Sequence, residues 1–279
     1  LKEARGSHSD GEVAKSGANA GKGILSMSVR VEKQGRVISI ILDRPPLNVM
    51  DISLLRDLDA ALTGCQTEPA AAIVVLSGAG ERAFSAGVDI GDHTREKVPE
   101  MLEVVHGAMR KLLALPQVTI ARVHGACLGG GCELASCCDF IIAAENSSFA
   151  TPEILVGCYP PVALARFSAL IGYRRAADLI LTGRTLTAQE ALAMGLISRV
   201  APQAQLESSL TALRDELLGK SGSALRIALK GLRELSLRGF ADALHRSEEI
   251  YREELLKTED VEEGVRAFLE KRKPRWTHR

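Results

Sequence analysis

The chain has 279 residues, 46 % of them hydrophobic, with 35 Lys and Arg balanced by 35 Asp and Glu. That length and apolar content supply a core that folds without disulfide or metal staples. A formal net charge of zero, with no basic stripe and no acidic block, excludes nucleic-acid binding and membrane-surface binding as the function, while a few local cations are still enough to hold one small phosphorylated ligand.

The first residues, LKEARGSHSDGEVAKSGANAGKG, mix Gly, Ser, Ala and charge without a hydrophobic period. GSHS resembles a tag or cloning scar and Met27 a native start, so residues 1–26 are read as a tag or flexible lead-in. From 27 to about 200, strands and helices alternate. SVRVEK and RVISIIL read as a hairpin turning at Gln34 and Gly35, and AAIVVLS, VTIARVHG and DFIIAA as buried strands. DISLLRDLDAALTGCQ opens on a capping Asp51 and keeps apolar residues at helical spacing, as does KVPEMLEVVHGAMRKLLAL until Pro116 stops it. Strand, helix, strand in repetition predicts α/β layers with right-handed crossovers.

Past residue 200 the strands stop. LESSLTALRDELLGK, ALRIALKGLRELSL, FADALHRSEEIYREELLK and VEEGVRAFLEKRK are amphipathic helices, followed by an exposed-looking Trp276. So small a helical section must dock its apolar faces on the α/β part or on another subunit. Cys65, Cys127, Cys132, Cys137, Cys138 and Cys158 lie mostly in apolar segments, without the spacing of a disulfide framework and without a secretory signal ahead of them. They read as reduced, buried thiols of an intracellular, cytoplasmic protein. The cysteines also lack the paired spacing and neighbouring histidines of zinc sites, so no metal is expected. No apolar run is long enough to span a bilayer.

Chemistry concentrates in VTIARVHGACLGGGCELAS, a strand, a loop and a glycine run opening a helix. Three consecutive glycines cost backbone entropy and belong where a backbone must approach something closely or expose its amides. Free amides in a first helical turn suit an oxygen that carries negative charge. Glu133 follows among Cys, Leu, Ala and Ser, where an unpartnered carboxylate is costly; the simpler reading is a helix cap. In SSFATPEILVGCYPPVA, Glu153 follows Pro152 at the first turn of a second helix, which a strand and a turn bring back toward Glu133. Two carboxylates in a poorly solvated pocket push their proton affinities apart, so one donates while the other accepts; the simpler reading is a glutamate favoured by a helix dipole.

Two rival chemistries have weaker support. Gly78, Gly80 and Ala83 match the spacing of a dinucleotide-binding fingerprint, but FSAGVDIGDHT after them has no helical period to receive a pyrophosphate. Cys132 behind the glycines, with His124 as base, has the makings of a thiolate nucleophile, against the plainer reading of a small core residue. A G-x-S-x-G elbow for a serine hydrolase is missing.

Taken together, RPPLNVMD, AFSAGVDI, HGACLGGGCELASCCDF, FATPEILVG, LTGRTLTAQEALAMGLISRV and FLEKRKPRW resemble the crotonase (enoyl-CoA hydratase/isomerase) superfamily over residues 28–276. The resemblance implies an α/β spiral of ββα units over 27–200 and a C-terminal helical trimerisation region over 201–279, assembled as a homotrimer or hexamer. It implies an acyl-CoA thioester as substrate, so that coenzyme A arrives as part of the substrate and no separate cofactor is expected. The family's oxyanion-hole amides fall on Val88 and Gly130, its two hydratase glutamates on Glu133 and Glu153, and its substrate contacts on Ala86, Asp89, Ile90, Gly129, Tyr159 and Pro160. Keeping both glutamates favours hydration over double-bond isomerisation or thioester hydrolysis. A non-catalytic CoA-binding scaffold has no need of the pair.

Two departures bear on the substrate. Where many hydratases carry a glycine-rich loop after the second glutamate, this chain reads GCYPPVALARF, with the stiff Pro160, Pro161 and bulky Val162. Gly91 stands where some relatives place a lysine for the CoA phosphates, leaving that contact to Arg44 or the C-terminal basic cluster. FSAGVDIGDHT, GCYPPVA and RAADLILTGRTL are similar to a narrower subgroup, the cyclohexa-1,5-diene-1-carbonyl-CoA hydratases of aromatic degradation.

Overall fold

The structure is a computed structural model and describes residues 28–279; the lead-in read over 1–26, and Met27, lie outside the described residues. Strands β1 (Val29–Gln34) and β2 (Val37–Leu42) pair antiparallel. Gln34 stays in the ladder opposite Val37, so the turn is Gly35–Arg36, one residue later than the sequence suggested, with Gly35 supplying a φ of +58°. Helix α1 (Ile52–Gln66) follows, its Asp51 side chain accepting the Leu54 N–H at 2.9 Å as the sequence indicated.

The chain then repeats one plan, two strands and a helix. First come β3 (Ile73–Gly78), β4 (Ala83–Ser85) and α2 (Val98–Leu113), then β5 (Val118–Val123), β6 (Ala126–Leu128) and α3 (Gly130–Ser136). Next are β7 (Phe140–Ala144), β8 (Ser148–Ala150), a 3-10 turn (Pro152–Val156) and α4 (Pro161–Ile171). α5 (Tyr173–Thr182), β9 (Leu186–Thr187), α6 (Ala188–Met194) and β10 (Arg199–Ala201) complete the stranded part. In each repeat the first strand joins a six-stranded sheet ordered β1-β2-β3-β5-β7-β10 and the second a four-stranded sheet ordered β4-β6-β8-β9. Beyond β1–β2 and β8–β9 all pairs are parallel, which makes the expected ββα spiral. Ala83 opens a strand rather than a helix, so the dinucleotide reading of Gly78 and Gly80 fails on structure.

Side chains alternate across a strand, and the large sheet has two covered faces. Leu54, Leu58 and Leu62 of α1 and Leu102 and Val105 of α2 share one core with Val74 and Leu76 of β3. Ile73 and Val75 of the same strand face the other way, onto Leu206, Leu210 and Leu213 of α7 (Leu206–Leu218). This explains why AAIVVLS is apolar without alternation. All six cysteines are buried and free. Among the described residues no helix is long and apolar enough to cross a membrane.

The last three helices are α8 (Gly222–Ser236), α9 (Phe240–Glu253) and α10 (Glu259–Leu269). Of the two docking modes open from sequence, α9 and α10 take the first: α9 packs on α4, and α10 on the 3-10 turn Pro152–Val156. Trp276 is 37 % exposed, yet its covered face lies against the backbones of Gly157 and Gly264, where no Cβ intervenes. α8 is fastened by Arg233, whose Nε and Nη2 donate to Asp139 at 2.9 and 2.5 Å and which also donates to the carbonyls of Leu115 and Gln117.

Removing one partner of a largely buried ion pair leaves the other charge uncompensated and costs about 3 kcal/mol or more. Arg233→Met is therefore expected to lower the melting temperature by several degrees in a thermal denaturation scan. Wild-type melting would mean that α8 is held by apolar contacts alone.

Candidate active site

Three neighbouring glycines set the geometry of the site, each for a different neighbour. Gly129 reverses the chain between β6 and α3 at a φ of +53°, and a Cβ there would stand 2.6 Å from Glu153 Oε1. A Cβ on Gly130 would meet Val88 Cγ2 at 2.7 Å, and one on Gly131 the Ser85 carbonyl at 2.7 Å. Only hydrogen at these positions lets a carboxylate, the loop after β4 and β4 itself close on the helix start.

Gly130 is the first residue of α3, so its N–H has no acceptor within the helix. Val88 forms a parallel bridge with Met50: Met50 N donates to the Gly87 carbonyl at 2.9 Å and Asp89 N to the Met50 carbonyl at 3.0 Å. Successive amides alternate along an extended chain, so the Val88 N–H faces away from Met50. Its nitrogen is 3.5 Å from where a Gly130 Cβ would be. Neither N–H donates to an acceptor among the described residues. Ser85 fixes the loop that carries Val88, donating to the Asn48 carbonyl at 2.8 Å and accepting the Gly87 N–H at 3.1 Å.

Glu133 sits in the first turn of α3, 3 % exposed, and its Oε1 accepts the Ala163 N–H at 2.9 Å. Helix α4 opens on Pro160 and Pro161, which have no N–H, so its first free amides are those of Val162 and Ala163. Burial pushes the Glu133 carboxyl above its ordinary value, opposed by the Ala163 amide, the charge of His106 and the Val162 amide. Glu153 lies in the first turn of a short helix, as the sequence suggested; the helix is 3-10 and ends after five residues, where Gly157 takes a φ of +73°. Its Oε2 is shut off from water without a partner among the described residues. Burial pushes this carboxyl well above its ordinary value and the neighbouring Glu133 pushes it further, with only its own backbone N–H opposing. The two carboxyls are therefore unequal: Glu133 has donors for its charged form, and Glu153 has almost none.

Both glutamates, Val88 and Gly130 line one cavity of about 610 Å³, and so do Ala86, Asp89, Ile90, Gly129, Tyr159 and Pro160. Every site residue that the family resemblance implied thus borders the same space, a volume ordinary for a small-molecule site. Cys132 and His124 are outside that wall; His124 Nδ1 lies instead 3.4 Å from Arg122 Nη1. Arg44, a candidate phosphate contact, is paired with the helix cap Asp51.

Sequence reasoning missed part of the wall. Met101, Leu102, Val105 and His106 come from one face of α2, Tyr251 from α9 and Phe268 from α10. The rings of Tyr159 and Tyr251 meet edge to face with centroids 5.1 Å apart, and Tyr159 Oη donates to the Ser247 carbonyl at 2.8 Å. A histidine among the inward apolar positions of α2 was a visible signal. Tyr251 carried none, because its place depends on how α9 returns to the core.

Residues 32–279 match the enoyl-CoA hydratase/isomerase family. The chain belongs to that family. It is 39 % identical over 259 residues to a probable enoyl-CoA hydratase of Rhizobium meliloti (strain 1021), covering 89 % of this chain and 97 % of the relative. It is 31 % identical over 253 residues to the cyclohexa-1,5-dienecarbonyl-CoA hydratase of Thauera aromatica, covering 91 % and 97 %. The crystal structure of an enoyl-CoA hydratase from Mycobacterium avium subsp. paratuberculosis K-10 superposes with a TM-score of 0.82 at 29 % identity, over 90 % of this chain and 98 % of that one. The enoyl-CoA hydratase/isomerase fold accounts for the two interleaved sheets and the helical C-terminal part.

A carboxyl with a raised folded-state proton affinity keeps its proton where the unfolded chain has released it. Its contribution to stability is complete below the ordinary carboxyl value of 4.5 and is lost as pH rises toward the folded value, by about 1.4 kcal/mol per unit of separation. Glu153→Gln is therefore expected to melt like wild type below pH 4.5 and increasingly above it as pH rises from there toward the folded-state value. Melting curves that stay parallel at every pH would contradict an uncompensated carboxyl at this position.

Proposed function

We propose that the protein is an enoyl-CoA hydratase, adding water across a double bond conjugated to a coenzyme A thioester. The observation that carries this reading is the placement of two unequal carboxyls and two undonated backbone N–H groups on one cavity. The thioester oxygen is received by the N–H groups of Val88 and Gly130. Water held between the glutamates attacks the β-carbon, Glu133 takes its proton, and the electron pair of the double bond moves toward the thioester oxygen. Glu153 then protonates the α-carbon, the double bond to oxygen reforms, and solvent restores the starting protonation of the pair. Each preorganised amide lowers such a barrier by about 3 kcal/mol, because it already points where the charge develops.

The finer substrate reading is a cyclic dienoyl thioester. Pro160 and Pro161 stiffen the wall beside Glu133, and the edge-to-face Tyr159 and Tyr251 give the cavity the flat aromatic sides that suit a ring. The relative named cyclohexa-1,5-dienecarbonyl-CoA hydratase supports the same choice. Coenzyme A comes with the substrate, so the mechanism calls on no other cofactor. Assembly as a homotrimer or hexamer is supported by Ile227, Leu232 and Leu235 of α8 and Leu181 of α5, which are 64–73 % exposed. Light scattering on the purified protein is expected to give three or six times the chain mass.

The reaction is tested in oxygen-18 water, with crotonyl-CoA and cyclohexa-1,5-diene-1-carbonyl-CoA supplied in parallel. Products heavier by one labelled water, formed faster from the cyclic substrate, are expected; a migrated double bond without label would assign isomerase chemistry, and released coenzyme A would assign hydrolysis. Glu133→Gln and Glu153→Gln should each lower kcat by about 10²–10⁴-fold with KM changed little.

A further inference from the structure

His106 is one of the least exposed polar residues of the protein, at 1 %. It stands on the inward face of α2, where Met101, Leu102, Val105 and Met109 are its buried neighbours. A core alone has no use for an imidazole there, since a buried polar pair replaced by well-packed apolar groups is often neutral or stabilising. The ring is nonetheless fixed with care. Its Nδ1 lies 2.7 Å from Oε1 of Glu248, which arrives from α9, 142 positions later in the chain. The same Oε1 accepts from Arg110 Nη1 at 3.1 Å, one turn further along α2.

That chain of contacts decides which way the ring looks. With Nδ1 held by Glu248, the opposite edge, Nε2, is the polar edge left for the cavity that His106 lines together with Glu133 and Glu153. Burial pushes the Glu248 carboxyl up, but the hydrogen bond and charge of His106 and those of Arg110 hold it below its ordinary value, so a carboxylate backs the ring. The ring's charge in turn opposes the burial that raises Glu133.

We propose that His106, locked by Glu248 and Arg110, is a positioning residue for Glu133: its ring lines the same cavity as that carboxyl and keeps it the proton-accepting member of the glutamate pair. The proton-accepting role rests on the hydratase reading; the electrostatic effect of the ring does not. The other titratable groups on the cavity wall are Glu153 on the 3-10 turn, the phenols Tyr159 and Tyr251, and Asp89 and His93 in the loop after β4. Glu133 pushes the Glu153 carboxyl toward its protonated form, and for Glu133 itself the ring is the group on α2 that opposes burial. The amides of Val162 and Ala163 do the same from α4.

The test uses a readout that needs no turnover. Infrared difference spectra of the whole protein follow the protonated-carboxyl band across pH, with Glu133→Gln identifying which part of the band belongs to Glu133. In His106→Gln, with native folding verified by circular dichroism, the Glu133 midpoint is expected to rise by about one pH unit. Glu248→Gln should move it in the same direction by less, and if His106→Gln does not fold, Glu248→Gln decides by the same midpoint. An unmoved midpoint in folded protein would overturn the proposal and leave His106 as a tie between α2 and α9. Kinetics separate the two readings: with hydration established, His106→Gln should lower kcat at least tenfold, with KM within about twofold and the acid limb of the pH profile displaced upward. A shifted midpoint in a protein that hydrates no enoyl thioester would preserve the positioning role and remove the hydratase assignment.

Discussion

The structure depends on the close approach of three neighbouring groups to three side-chain-free positions. At Gly129, Gly130 and Gly131 a methyl group would overlap the Glu153 carboxylate, the Val88 side chain and the Ser85 carbonyl respectively. Because it cannot overlap them, the start of α3, the loop after β4 and the turn carrying Glu153 converge on one point. The convergence does two jobs at once. It places two N–H groups beside each other without acceptors, and it sets a second carboxyl against a helix that already carries the first.

Such a site is unfavourable to the fold that holds it. Two carboxyls share a poorly solvated space, and Glu153 keeps an oxygen with no partner among the described residues. The rest of the molecule offsets this with local rigidity. The Pro160–Pro161 opening of α4 presents its first two amides to Glu133, α10 and Trp276 press on the turn that bears Glu153, and Ser85 pins the loop of Val88. An electrostatic cost of this kind is what a site that must discriminate between two protonation states requires.

The sequence carried the site further than the fold's periphery. Glycines before a glutamate on an apolar helix, and a second glutamate after a proline, were enough to name the carboxyls, because both signals are local. The resemblance to the crotonase superfamily then supplied Val88 and Gly130, whose amides leave no mark on residue type at position 88. The hairpin turn was misplaced by one residue, and the short 3-10 form of the helix at Glu153 was not visible, since Gly35 and Gly157 act through left-handed φ values that composition does not locate. His106, Glu248 and Tyr251 escaped notice for a different reason. Their partners lie on helices joined only by the return of α9 to the core, and 142 positions of intervening chain separate His106 from the carboxylate that orients it.

The most direct measurement of the central claim is the infrared frequency of the thioester carbonyl, labelled with carbon-13, in an enoyl-CoA bound to Glu133→Gln protein, where the bond stays intact. If the Val88 and Gly130 amides receive that oxygen in a dry cavity, the band lies well below its frequency in water. A bound thioester whose carbonyl absorbs where the free one does would show that these amides do not polarise the substrate, and the account of the site would fail with them.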